Sequence, residues 1–410
     1  MNSGATRARG RLLDWLDRRL PVRAFISSQL TEYYPPKNLN AWYYFGVMAL
    51  VVLAIQILTG IFLAMHYKPG EAIAFESVER LMREVPWGWL IRYAHSTGAS
   101  LFFLVVYLHI FRSLMYGSYR APREILWTLG MLIYITLMAE AFMGYVLPWG
   151  NMSYWAAQVI INLFGAIPGI GAGLVEWIRG DYAVGDATLS RFFSLHVIAV
   201  PLGLLLLVTL HLVALRSVGS NNPEGIEVKE QVDAAGRPLD GIAFHPYYTV
   251  KDTLSVGVFL VVFATVLFFA PTVGGLFLEP ANFEPANPVS TPDHIAPAWY
   301  FAPYYAMLRA VPDQRLGALL ALLAVASFLF MPWLDRSPVR SMRYKGWIAR
   351  LALALFAISF VALIILGLQP AGPSQVWSAR IFTVIYFGFF WLAPVYSRID
   401  RPRPVPARIP

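Results

Sequence analysis

Eight stretches of this chain are apolar for long enough to cross a lipid bilayer: near residues 45–66, 91–115, 126–147, 192–215, 254–271, 317–334, 349–368 and 379–397. A helix needs roughly 20 apolar residues to span hydrocarbon. In lipid the backbone must satisfy its own hydrogen bonds, which restricts spanning structures to helices and closed barrels. The expected fold is therefore an all-α integral membrane protein with eight transmembrane helices. The chain is 58% hydrophobic and only 14% charged, whereas a soluble domain carries about a quarter charged residues. No cleavable leader is expected ahead of the first span. Instead "RLLDWLDRRL" sets Leu12, Leu16 and Leu20 on one face with Trp15 beside them, the pattern of a short helix lying on the membrane surface.

An even number of spans puts both termini on one side. The segments on that side hold 23 of the 32 Lys and Arg residues, so the positive-inside rule makes both termini cytoplasmic. The net charge of +8 is explained by this topology and calls for no nucleic acid. The absence of cysteine excludes disulfides, thiolate metal sites and covalently attached c-type haem. The expected organisation is a cytoplasmic basic segment with the surface helix (1–40), a four-helix bundle (41–220), a polar cytoplasmic loop (221–253), helices five to eight (254–398) and a cytoplasmic tail (399–410). The last helical group includes a Pro- and aromatic-rich outer loop over 272–316, long enough to suggest a functional role.

Four of the seven histidines fall inside spans: His95 and His109 in the second, His196 and His211 in the fourth. Fourteen residues rise about 21 Å and return to within about 40° of the starting direction. His95 and His109 therefore share a face at opposite depths. His196 and His211 are fifteen apart, and Pro201, which lacks an N–H, can admit a one-residue bulge that absorbs the extra residue. A neutral imidazole is an axial ligand for haem iron, and two such helices facing each other would hold two bis-histidine haems, one above the other. Gly46 and Gly60 in the first span, and Gly130 and Gly144 in the third, repeat the spacing of fourteen. Glycine lets a flat macrocycle lie against the backbone; small residues also serve ordinary helix packing. Arg92 and Arg112 stand three residues outside the second-span histidines, placed to pair with haem propionates or to snorkel.

The third span also carries one acid, Glu140, in "TLMAEAFMGYVLPWG". A carboxylate at that depth is costly and marks a functional site by default.

The strings "IRYAHSTGAS", "LHIFR", "MGYVLPWG", "RFFSLH" and "GSNNP", with the glycine pairs, resemble the cytochrome b family of the cytochrome bc1 complex (ubiquinol–cytochrome c reductase), in its bacterial form. The resemblance runs from about residue 30 to the last span. It implies a dihaem bundle in which His95 and His196 hold an outer haem b and His109 and His211 an inner one. It also implies quinol oxidation at an outer site, quinone reduction at an inner site, and a proton gradient built by the two. A Rieske iron–sulfur protein, a cytochrome c1 or equivalent c-type cytochrome, membrane lipid and a homodimeric complex in the bacterial inner membrane complete the expectation. The fifteen-residue spacing departs from the mitochondrial pattern.

The family's outer site usually carries a Pro-Glu-Trp-Tyr motif whose Glu is thought to take a proton from quinol. Here Pro297, Ala298, Trp299 and Tyr300 stand instead, and alanine accepts no proton. Glu140 is the expected replacement, with Asp293 as a second candidate. Tyr145 and Tyr305 match family positions lining that pocket. At the inner site Ser220, Lys251 and Asp252 match family positions, while Arg216 stands where many relatives place a histidine. His66, His245 and His294 read as interfacial or loop residues. Two readings compete: a proton-relay transporter, which does not require paired glycines, and a dihaem anchor for a dehydrogenase, which does not require the second group of helices.

Overall fold

The computed structural model describes residues 14–410, and within them the chain is helical with no strand. Of the surface helix expected over 11–20, residues 14–17 are helical, Trp15, Leu16 and Leu20 are exposed, and Leu12 lies outside the described residues. The bundle is built from α1 (Phe45–His66), a short α2 (Ala74–Glu84), α3 (Gly88–Tyr116), α4 (Glu124–Val146), three short helices α5 (Asn151–Phe164), α6 (Gly171–Arg179) and α7 (Asp186–Ser194), and α8 (Val200–Val218). Beyond the polar loop come α9 (Phe244–Phe269), α10 (Ala302–Ala310), α11 (Gln314–Leu329), α12 (Trp347–Leu368), α13 (Pro373–Trp391) and α14 (Ala393–Ile399).

Among the described residues, six helices are long and apolar enough to cross a membrane, and a seventh if α13 and α14, bent by 64°, form one span. The stretch expected near 317–334 forms α11, which has 16 residues, fewer than the roughly 20 needed for a full crossing. The chain is thus a multi-pass membrane protein by the length and composition of its helices.

Helix ends follow local chemistry. The Asp313 side chain accepts from the N–H of Leu316 at 2.8 Å and starts α11. Gly117, at φ 66°, closes α3 in the left-handed conformation. The bulge expected ahead of Pro201 is present: Leu195–Ala199 form a π-helical turn that joins α7 to α8. In lipid no hydrophobic force drives helices together, so close packing must do so. Accordingly α1 lies along α3 and α4 along α8, while α10, α12 and α13 form the second group. Stacked Phe356 and Phe389, 4.6 Å apart, help fill that group.

One end of the bundle is tied by ion pairs that link distant segments. Arg123, 1% exposed, makes a two-pronged contact with Glu227 at 2.8 and 3.1 Å. Lys345 meets Asp335 at 2.5 Å, both buried. Asp240 gathers Lys37 at 3.2 Å and Arg408 at 2.9 Å, and also accepts from the N–H of Ile409. The segment before α1, the polar loop and the tail therefore meet at one end. The Arg408 hydrogen bond holds the Asp240 carboxyl down to about 2. A depressed carboxylate contributes stability that is complete above its unfolded value of about 3.9 and fades as pH falls toward 2. Asp240→Asn should cost about 1–2 kcal/mol at neutral pH, allowing for the exposure of Arg408 and Lys37. Thermal unfolding at a series of pH values should show the cost shrinking below about pH 4.

Candidate functional site

The four span histidines form two pairs, one above the other, between α3 and the helix continuing through α8. The His95 and His196 rings lie 6.2 Å apart, centre to centre, and His109 and His211 lie 6.5 Å apart. Two imidazoles sharing one metal through bonds of about 2 Å stand at about this separation. Hydrogen bonding fixes the tautomers of the first pair. Thr59 Oγ1 donates to the Ile55 carbonyl at 2.6 Å, so it accepts from His95 Nδ1 at 2.9 Å. The carbonyl of Glu140, an acceptor only, lies 2.9 Å from His196 Nδ1, and its carboxylate Oε1 lies 3.0 Å away. His95 and His196 therefore carry the proton on Nδ1 and offer the Nε2 lone pair, as a supported metal ligand does.

The glycines stand against these rings. A Cβ on Gly46 would lie 3.4 Å from His109 Cε1, on Gly60 3.2 Å from His95, on Gly130 3.2 Å from His211 and on Gly144 2.4 Å from His196. Arg92 Nη1 and Arg112 Nε are buried without a hydrogen-bond partner among the described residues. Buried polar groups are normally satisfied, so these atoms point to a missing acceptor-rich group. Paired imidazoles, glycine-thinned walls and unpartnered guanidinium groups together fit an iron porphyrin with propionates.

A cavity of about 260 Å³ runs from Gly60, Arg92, His95, Glu140, Gly144 and His196 to Tyr145, Phe277, Asn282 and Tyr300. The expected outer residues divide around it. Tyr145 and Tyr300 line the cavity. Trp299 stacks behind lining residue Phe277 at 6.4 Å, and Pro297 is buried beside it. Tyr305 turns away, donating to the Ile295 carbonyl at 3.0 Å beneath Arg309. Asp293 is exposed. His294 Nε2 contacts the Leu368 carbonyl at 3.2 Å, and His245 Nδ1 contacts Thr249 at 3.3 Å.

At the opposite end, Ser220 and Arg216 converge on Tyr33. The two hydroxyls are 2.8 Å apart, and the guanidinium lies 4.0 Å over the ring while donating to the Gln29 carbonyl. Lys251 donates to the Tyr247 hydroxyl at 2.7 Å, and Asp252 Oδ1 is buried with no partner among the described residues. Sequence reasoning missed Thr59, Tyr33, Glu279 and Asn282. Only Glu279 carried a visible signal, as an acid in the aromatic-rich outer loop.

The family model for cytochrome b/b6/petB matches residues 30–219, and that for cytochrome b(C-terminal)/b6/petD matches residues 285–387. The chain belongs to the cytochrome b family. It is 56% identical to a cytochrome b of Allochromatium vinosum over 97% of this chain and 98% of that one. Cytochrome b of Rickettsia bellii is 49% identical over 97% of this chain and 96% of its own. A solved hyperthermophilic respiratory Complex III superposes with a TM-score of 0.88 at 41% identity, covering 94% of this chain and 99% of that chain. Membership makes this chain a haem b-binding oxidoreductase subunit of a multi-subunit bc1-type respiratory complex.

Proposed function

We propose that this cytochrome b oxidises ubiquinol at the cavity beside His95 and His196 and reduces quinone at the site around Ser220, Arg216, Lys251 and Asp252. The observation that carries the reading is the pair of stacked imidazole couples, each backed by glycines at the same register. His95 and His196 would hold an outer haem b and His109 and His211 an inner one, with Arg92 and Arg112 available to pair with propionates. The chemistry such haems would supply is one-electron transfer between the two quinone sites. Thr59 and Glu140 orient the outer imidazoles, and the glycines admit the ring faces. Phe277, Tyr300 and Trp299 give the outer site an apolar wall that excludes water, with Pro297 fixing the turn and Tyr305 bracing its loop. At the inner site Ser220 and Lys251 supply donors for a quinone oxygen, Arg216 adds fixed positive charge, and Asp252 is positioned to deliver a proton.

The reading extends to topology and partners. Eight helices cross the bacterial inner membrane, α11 as a short sixth span, with residues 41–220 as the dihaem bundle and 254–398 as the second group. Residues 1–40, the loop 221–253 and the tail 399–410 lie on the cytoplasmic side. A Rieske iron–sulfur protein takes one electron from quinol and a cytochrome c1 or equivalent carries it onward, in a homodimeric complex. The purified complex should hold two b haems per chain and show quinol-dependent reduction of a b-type absorption band. A colourless chain, or one haem per chain, would sink the reading.

A further inference from the structure

Oxidising a quinol breaks two O–H bonds, and an apolar cavity must provide somewhere for each proton to go. The acids near the outer cavity differ in what they touch. Glu140 lines the cavity with Oε1 held 3.0 Å from His196 Nδ1 and Oε2 buried without a partner among the described residues, while Asp293 and Glu284 are exposed. Glu279 is partly buried, and its Oε2 accepts from the Tyr145 hydroxyl at 2.9 Å and from Asn282 Nδ2 at 2.9 Å. Tyr145 and Asn282 both line the cavity. Asn282 in turn anchors the loop, its Oδ1 accepting from the N–H of Ser153 at 2.8 Å.

We propose that Glu279, reached through the Tyr145 hydroxyl, is the terminal acceptor for a quinol proton at the outer site, in the place the Pro297–Tyr300 segment leaves without an acid. The inference rests on the quinol-oxidising reading above. A quinol O–H bond breaks and its proton bonds to the Tyr145 oxygen. The Tyr145 hydroxyl proton passes along the existing hydrogen bond to Glu279, whose carboxylate becomes a neutral acid. The two electrons leave for the iron–sulfur partner and the haem chain, as the family activity requires, and Glu279 then loses its proton toward the outer face. The titratable groups facing Glu279 are Tyr145 from α4 and Tyr300 from the outer loop, and no lysine or arginine pairs with it among the described residues. Burial raises its carboxyl above the usual range, against the pull of the Tyr145 and Asn282 hydrogen bonds. Glu279 must be ionised to accept, so the rate should rise with pH through its titration.

The test measures quinol oxidation against pH in the intact complex carrying Glu279→Gln, Glu279→Asp, Tyr145→Phe or Glu140→Gln. Glu279→Gln and Tyr145→Phe should slow the reaction on the order of 10²-fold, the usual contribution of a positioned proton acceptor, with both haem bands intact. The acidic limb of the profile should vanish in Glu279→Gln and move to lower pH in Glu279→Asp, following the lower ordinary pKa of aspartate. A wild-type rate and limb in Glu279→Gln overturns the proposal, as does a limb abolished by Glu140→Gln instead. If Glu279→Gln fails to assemble, an unshifted Glu279→Asp profile or an undiminished Tyr145→Phe rate overturns it equally. A wild-type complex that oxidises no quinol removes the underlying reading, a failure visible before any variant is made.

Discussion

Leucine at His95 or at His196 should abolish the same b haem, and leucine at His109 or at His211 should abolish the other. The pairing follows from ring centres 6.2 and 6.5 Å apart at two depths of one bundle. Losing a residue that merely supports a ligand, such as Thr59, is expected to cost about 10- to 100-fold in metal affinity, and losing the ligand itself should cost more. Redox titration of the b bands in the four single variants decides the matter. Each variant should retain one component, matched within a pair and different between pairs, and quinone-dependent turnover should fall to background in all four. Four variants that each retain both haems would refute the ligand assignment.

The glycine wall should show a graded response to alanine. Gly144→Ala should be the most damaging, because its Cβ would stand 2.4 Å from His196 Cε1 and 2.9 Å from Nε2. Gly60→Ala and Gly130→Ala, each at 3.2 Å, should weaken the haems they face, and Gly46→Ala at 3.4 Å should be nearly neutral. Overpacking of a tight interior costs about 1–3 kcal/mol, or roughly 5- to 150-fold weaker haem retention at Gly144, since 1.4 kcal/mol is tenfold. Haem content per chain, measured by band, should fall in that order. A flat series would mean that the glycines serve only helix packing.

The features legible in the sequence were those written along a single rod. Apolar runs marked the helices, and spacings of fourteen, or fifteen with a bulge at Pro201, put histidines and glycines at matched depths without any knowledge of neighbours. The features that stayed hidden are contacts between segments far apart in the chain. Tyr145 and Glu279 are 134 residues apart, Arg123 and Glu227 are 104 apart, and Tyr119 meets Asp335 across 216. No periodicity announces such partners. Glu140 shows the boundary well: its cost in lipid marked it as functional, yet its contact with His196 depends on the turn before α8, which the lone acid could not reveal. The apolar stretch near 317–334 was blurred for a different reason, since it runs on past the end of α11 at Leu329 into the separate short helix Met331–Leu334.

The π turn at Leu195–Ala199 has a consequence for helix length. Gaining or losing one residue in a regular helix swings everything beyond it by about 100°, which would carry an imidazole off its iron. Here the surplus residue is confined to one widened turn, and His196 and His211 still meet His95 and His109. A helix with fourteen positions between these histidines and one with fifteen and a widened turn can therefore bring the same two imidazole pairs together.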